Sequence, residues 1–201
     1  MSEQDMMAVL MGLGLLLLFG LPIVYLVRHK MKINRVWKEL AEKHNLNHHD
    51  GRYPSATGSA EGRYMEIGSG VGRKPISGRA DLKQVVEFYA WAAINGLEVP
   101  FGFIAGKRGM LQGKGPIQTD NELFNKKVWA DSSNPEEGKA YLTLERQEAL
   151  LEFIKYDGVV YGQHGEEPAH VVMSRAGYKV RLDWLEERKD VLLRTAKAFD
   201  T

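Results

Sequence analysis

Two histidine clusters and three glycine-rich stretches hold the residue types that could do chemistry in this chain. His44, His48, His49 and Asp50 lie close together, and a His-x-x-x-His pair on one helical face beside a carboxylate is a metal-binding pattern. The competing arrangement is a helix C-terminus, where histidine suits the dipole, followed by an Asp50-Gly51 turn. The spacing forces no third ligand into range, so a turn is expected there. His164 and His170 flank Glu166 and Glu167, types that can pair a base with an orienting carboxylate. No nucleophile lies nearby in sequence, and polar turn residues are usually solvated.

The glycine stretches invite comparison with phosphate cradles. Gly68-Ser69-Gly70-Val71-Gly72-Arg73-Lys74 sets close glycines beside two cations but lacks the dinucleotide spacing. Gly102 to Lys107 and Gly109 to Lys114 are each one residue short of a P-loop and lack the Ser or Thr that would hold magnesium. All three read as turns. The absence of cysteine excludes disulfides, thiolate zinc sites, cysteine-ligated iron–sulfur clusters and a cysteine nucleophile. The expectation is therefore a chain with no catalytic, cofactor-binding or metal site, not an enzyme.

The element around which the rest is arranged is Met6 to Val27, MMAVLMGLGLLLLFGLPIVYLV, which holds no charged side chain. At about 1.5 Å rise per residue such a helix covers roughly the 30 Å hydrocarbon core of a bilayer. Glu3 and Asp5 precede it, whereas Arg28, Lys30, Lys32, Arg35 and Lys38 follow it. A secretory signal would want the opposite start. The positive-inside tendency places residues 1–5 outside and 28–201 in the cytoplasm, on the inner membrane. The basic cluster also suits anionic headgroups. Ala8, Gly12, Gly14 and Gly20 supply notches for a neighbouring helix, and Pro22 removes one backbone donor near the end of the run.

The 201 residues carry 44% hydrophobic and 26% charged residues, ordinary globular values that let the part outside the membrane form one domain. Net charge is only +1, which argues against nucleic-acid binding. Ile33, Val36, Trp37, Leu40, Ala41 and His44 recur at helical spacing, so an amphipathic helix is expected over 28–46. Residues 47–201 read as a cytoplasmic α+β domain, a mainly antiparallel sheet with two helices in its C-terminal half. Expected strands are Ser55 to Ala60 and Arg63 to Gly68 about Glu61-Gly62, then Gln84 to Ile94 paired with Phe101 to Ala105 through Asn95-Gly96. Helix is an alternative over Val85 to Trp91. Phe124 to Asp131 reads as a further strand, with Ala140 to Leu142 returning beside it.

Leu144 to Tyr156 is expected as a helix capped by Thr143, with Leu144, Leu150, Leu151 and Ile154 toward a core, and stopped by Asp157-Gly158. Val159 to Gln163 and His170 to Ser174 form a last hairpin. A terminal helix follows from Tyr178, its many charges facing water. Trp37, Trp91, Trp129 and Trp184 sit in apolar patterns and read as core.

The Trp37, Leu40, Ala41 helix, the Gly58, Gly62, Arg63 hairpin and the Phe124-Asn125 pair resemble bacterial single-pass membrane proteins of unknown function with an N-terminal anchor and an α+β cytoplasmic domain. That resemblance implies no activity. A looser architectural similarity is to the H subunit of photosynthetic reaction centres, which also has one span and a cytoplasmic β-rich domain. The expected function is a non-catalytic accessory subunit that packs on and stabilises a larger membrane complex, for example a respiratory or photosynthetic one. Its partners would be other membrane subunits and anionic lipid headgroups, with no cofactor. The alternatives are a membrane-tethered sensing or enzymatic domain and a cytoplasmic scaffold.

Overall fold

Helix α1, Leu21–Lys43, carries Pro22 in its first turn, where the missing N–H breaks no helical bond. The protein is represented by a computed structural model that describes residues 7, 11, 18, 20–75, 82–96, 99–109, 115–165, 167–176 and 181–200; of residues 71–75, 82–86 and 176 it describes the backbone alone. Half of the run Met6 to Val27, including Ala8, Gly12 and Gly14, lies outside the described residues. Among the described residues no helix is long and apolar enough to cross a membrane.

The two ends of α1 differ sharply. Trp37, Leu40 and Ala41 are buried, one stripe at i, i+3 and i+4, and they pack against two strands and the last helix. Towards Leu21 the helix is apolar on every side and open: Leu21, Ile23, Tyr25 and Leu26 are each 59–68% exposed. Arg28, Lys30, Lys32, Arg35 and Lys38 lie between those ends and are all exposed. The helix stops at Lys43, after which Asn45 takes a left-handed φ of 53°.

Eight strands follow in one sheet: β1 Asn47–His49, β2 Ser55–Ala60, β3 Arg63–Pro75, β4 Leu82–Ala93, β5 Ile104–Lys107, β6 Val128–Asp131, β7 Gly158–Tyr161 and β8 His170–Ala176. Their order is β1-β2-β3-β4-β8-β7-β5-β6, and every described pairing is antiparallel. A mainly antiparallel α+β fold is thus what the chain forms. The β2–β3 hairpin turns at Glu61-Gly62, both at positive φ, and the β7–β8 hairpin forms as expected.

Several local expectations fail. β4 is a strand, but its partners are β3 and β8; Asn95-Gly96 does not return it onto Phe101 to Ala105. β3 runs on through Gly68 to Lys74, so that stretch is sheet rather than turn. Phe124 to Asp131 divides into a helix and a short strand. The Asn121 side chain accepts the Phe124 N–H at 3.1 Å and starts helix α2, Glu122–Lys127, leaving only β6 extended. Likewise Asn134 caps α3, Pro135–Tyr141, with Pro135 in its first turn, where a return strand is expected from the sequence. Gly102, at φ 66°, does sit in a turn, directly against Ser133, but the rest of that stretch, Ile104–Lys107, is strand β5 rather than turn. Gly109 to Lys114 falls almost wholly outside the described residues.

Helix α4, Leu144–Phe153, is capped by Thr143, whose side chain accepts the Arg146 N–H. It passes into a 3-10 turn, Ile154–Tyr156, closed by left-handed Asp157. Gly158 then lies against the Phe153 ring, which a Cβ there would meet at 2.4 Å. Leu150 and Ile154 are buried, whereas Leu144 is 64% exposed, because it is the first residue of the helix and points off its apolar stripe. Helix α5, Leu182–Ala198, packs on β4, β8, α1 and α4, so α1, α4 and α5 cover one face of the sheet.

The charges of α5 do not all face water. Arg188 and Lys189 are buried: the Arg188 guanidinium lies 3.4 Å from the Trp184 ring centroid, and Lys189 Nζ meets Asp190 at 2.9 Å. Their long apolar stems cover neighbouring core while the heads find partners. At the end of α5, buried Arg63 of β3 bonds both carboxylate oxygens of Asp200, at 3.1 and 2.5 Å. Burial would push the Asp200 carboxyl up, but the bonds from Arg63 and the Asn95 N–H, with the Arg63 charge, hold it below the usual carboxylate range. Arg146 likewise satisfies the Tyr141 and Ala198 carbonyls at the ends of α3 and α5.

Candidate functional site

Alternation along each strand sorts the sheet into a covered and an open face. Met65, Ile67, Phe88, Ala90, Ala92, Val160, Val171 and Met173 are buried under the helices. The intervening residues face the other way, and no described helix packs over them. Across β3, β4, β8 and β7 this open face carries Tyr64, Trp91, His170 and Tyr161; His170 is directly opposite Tyr161, and Trp91, opposite Glu66 and Val172, is diagonal to Tyr64 and His170.

These four rings form a row. Tyr64 and Trp91 centroids are 5.3 Å apart, Trp91 and His170 6.3 Å edge to face, and His170 and Tyr161 5.1 Å and stacked. Each spacing is within the range of favourable ring contacts. Tyr64 is 48% and Tyr161 36% exposed, so the ends of the row are open to solvent. His170 is oriented by its Nδ1, 2.8 Å from the Pro168 carbonyl; the oxygen can only accept, so Nδ1 donates in that bond.

Behind the row, Glu66 accepts the Tyr89 hydroxyl at 2.6 Å and the Trp91 Nε1–H at 3.2 Å. Both donors are neutral, so they orient the carboxylate without cancelling its charge. Burial first, then the bond to Glu66, push the Tyr89 hydroxyl up to about 12, which keeps it a donor. The seat for Tyr89 is Gly68, its cross-strand neighbour. A Cβ on Gly68 would lie 2.8 Å from the Tyr89 ring and hydroxyl, so the glycine that suggests a phosphate cradle instead makes room for a tyrosine.

Two adjoining clefts border the row. One, of about 290 Å³, is lined by Tyr89, Trp91, Glu167, Pro168, His170 and Val172. The other, of about 550 Å³, runs past Tyr161, His164, Glu167 and His170 to Gly102 and Ile104. No serine, threonine, lysine or arginine lines either one. Such walls suit binding by ring faces and carboxylates. Near the ring row the acids are Glu66 and Glu167, neither of them in an ion pair among the described residues, and no described lysine or arginine lines either cleft; the lysines at open-face positions, Lys74 and Lys83, pair at the far end of β3 and β4.

Of the residues singled out from sequence, His164 and His170 do come to one place, with Glu167 between them; Glu166 is outside the described residues. The first histidine cluster is dispersed. His44 turns to Glu186 at 3.5 Å and Lys189 at 3.3 Å, His49 to Thr57 at 2.8 Å, and Asp50 to Asn34. Among the described residues no group of three or more potential ligands is placed to hold a metal. Trp37 is core. Trp91 and Trp129 are half-buried on the open face instead, as their register positions require. Sequence reasoning missed Tyr64, Glu66, Tyr89 and Tyr161; the available signal was an aromatic or acid at alternate positions of the strands.

No family model matches the chain, and no curated protein does. Among solved structures it is similar to the crystal structure of the mycobacterial trehalose monomycolate transport factor A, TtfA, with 10% identity, a TM-score of 0.48, and coverage of 84% of this chain and 92% of that one.

Proposed function

We propose that this chain is a non-catalytic, single-pass accessory subunit of the inner membrane. In this reading Met6 to Val27 is the anchor, with the N-terminus outside, and residues 47–201 form a cytoplasmic domain that braces a larger membrane complex. The observation that carries the reading is α1. At Leu21 to Val27 the helix exposes apolar side chains all round, a surface that water disfavours by about 25 cal/mol per Å² and that lipid accepts. The same unbroken helix buries Trp37, Leu40 and Ala41 in the domain core.

The basic residues between those ends sit where headgroups would be, and Gly20 with Ala8, Gly12 and Gly14 would let another span pack closely. The open sheet face is the surface left for a partner outside the bilayer. The deciding experiment is extraction of the native membrane in mild detergent, followed by native electrophoresis and mass spectrometry of the band that contains this chain. The expected result is migration within a larger assembly of defined composition, lost when the anchor is exchanged for an unrelated span. Migration as a single chain would overturn the reading. Because the sequence has no cysteine, single cysteines at Ser2 and Thr201 report topology without background: only the first should react with an impermeant maleimide on intact cells.

A further inference from the structure

We infer that the ring row and its clefts bind an arginine-bearing segment of a partner chain, the guanidinium lying on the rings and facing Glu66 and Glu167. This deepens the accessory-subunit reading and rests on it. Three observations carry the inference. First, the neighbourhood of the ring row has one sign: Glu66 and Glu167 have no ion-pair partner among the described residues and no described lysine or arginine lines either cleft, so a cation is the complementary charge there. Second, a carboxylate is fixed beside the rings of Tyr89 and Trp91, because both donate to Glu66. A cation on their faces then feels both the ring quadrupole and the carboxylate.

Third, the shape chooses among cations. A quaternary ammonium is held by a cage that closes around it, whereas the four rings make one line with solvent-open ends at Tyr64 and Tyr161, Trp91 set edge to face against His170 and His170 stacked on Tyr161. A planar guanidinium stacks on such a surface and still presents N–H groups to a carboxylate at the edge, which a compact ammonium does less well. From β3 to β7 the row crosses three strand spacings, roughly 14 Å. An extended segment of about four residues spans that distance.

The test is calorimetric titration of the full chain in detergent micelles with three blocked pentapeptides, Gly-Gly-X-Gly-Gly, where X is arginine, lysine or citrulline. Saturable binding of the arginine peptide is expected, with lysine weaker by about fivefold and citrulline undetectable. Glu66→Gln and Glu167→Gln should each weaken the arginine peptide about tenfold while leaving the melting temperature within a degree or two. Gly68→Ala, which displaces Tyr89 rather than a charge, should weaken it as well. No saturable binding, equal binding of citrulline, competition by tetramethylammonium as strong as by arginine methyl ester, or indifference to both glutamate substitutions would each overturn the inference.

Native electrophoresis separates this failure from failure of the broader reading. If the wild-type chain and Glu66→Gln both migrate in the same large assembly, the arginine contact falls and the accessory role stands. If the wild-type chain migrates alone, the accessory role itself falls. A homodimer that Glu66→Gln dissolves would put a second copy where the partner was placed and would likewise overturn the assignment.

Discussion

The covered and open faces of the sheet are built by alternate residues of the same strands, yet they are different materials. On the covered face small and medium apolar side chains such as Ala56, Ile67, Ala90, Ala92 and Val160 leave room for the large rings of Trp37, Phe153 and Phe199, all buried. The open face reverses this: large rings rise from it, Tyr89 among them seated over Gly68. Its polar groups, Glu66 above all, are oriented by neighbouring side chains. Folding needs only the first arrangement. The second would be an odd way to meet water, and it has the features by which protein interfaces differ from other surfaces, namely rings with few lysines.

If that division is right, substitutions on the two faces should separate stability from association. The largest effect belongs to the covered face. Phe153→Ala empties the space against Gly158 and should cost about 3–5 kcal/mol in urea unfolding, whereas a comparable loss from Tyr161→Ala would break the comparison. Next is the clasp between the sheet and α5. Asp200→Ala leaves Arg63 buried and unpaired, at a cost of about 3 kcal/mol. Because the folded-state Asp200 is held low, its contribution is present above the ordinary carboxylate range and disappears as pH falls through the lower folded value. The wild-type advantage in melting temperature over Asp200→Asn should therefore persist near pH 6 and vanish in strong acid.

Smaller effects sharpen the open side. Gly68→Ala should lower stability by about 2 kcal/mol, since the new methyl meets Ser55 Cβ as well as the Tyr89 ring, and it should weaken association more than that loss accounts for. The smallest effect is Glu66→Gln, within about 1 kcal/mol of wild type, read instead by ultraviolet titration of Tyr89. Held near 12 by burial and Glu66, its ionisation should move down in the variant without reaching the ordinary value, because burial remains. The raised value favours folding below the ordinary tyrosine range and is lost as pH climbs through the folded one. A Tyr89 that titrated at its ordinary value in wild type would remove the oriented carboxylate from the site.

Whatever depends on near neighbours was legible in the sequence. Trp37, Leu40 and Ala41 announce α1 by spacing, Thr143 and Asp157-Gly158 mark both ends of α4 with its 3-10 turn, and the Glu61-Gly62 and Pro168 turns give two hairpins. Asn121 and Asn134 were equally plain caps, but apolar alternation over Phe124 to Asp131 outweighed them, since a six-residue helix offers too few turns for its own period to register. Pairing was the harder matter. Asn95-Gly96 is a strong local hairpin signal, yet the chain there is held by Asp200 through the Asn95 N–H at 2.8 Å, a contact made across the fold. The ring row was invisible for the same reason, its four members coming from four strands and meeting only through register.

The unbroken course of α1 has a mechanical consequence. From Val27 to Trp37 a helix advances roughly 15 Å, so in a bilayer-anchored chain the domain would stand off the headgroups by about that distance on a stiff strut rather than drift on a flexible leash. Its ring row would then sweep only a thin layer beside the membrane. A partner confined to the same layer would meet it at a raised effective concentration, and a modest contact per encounter would be enough to keep the two together.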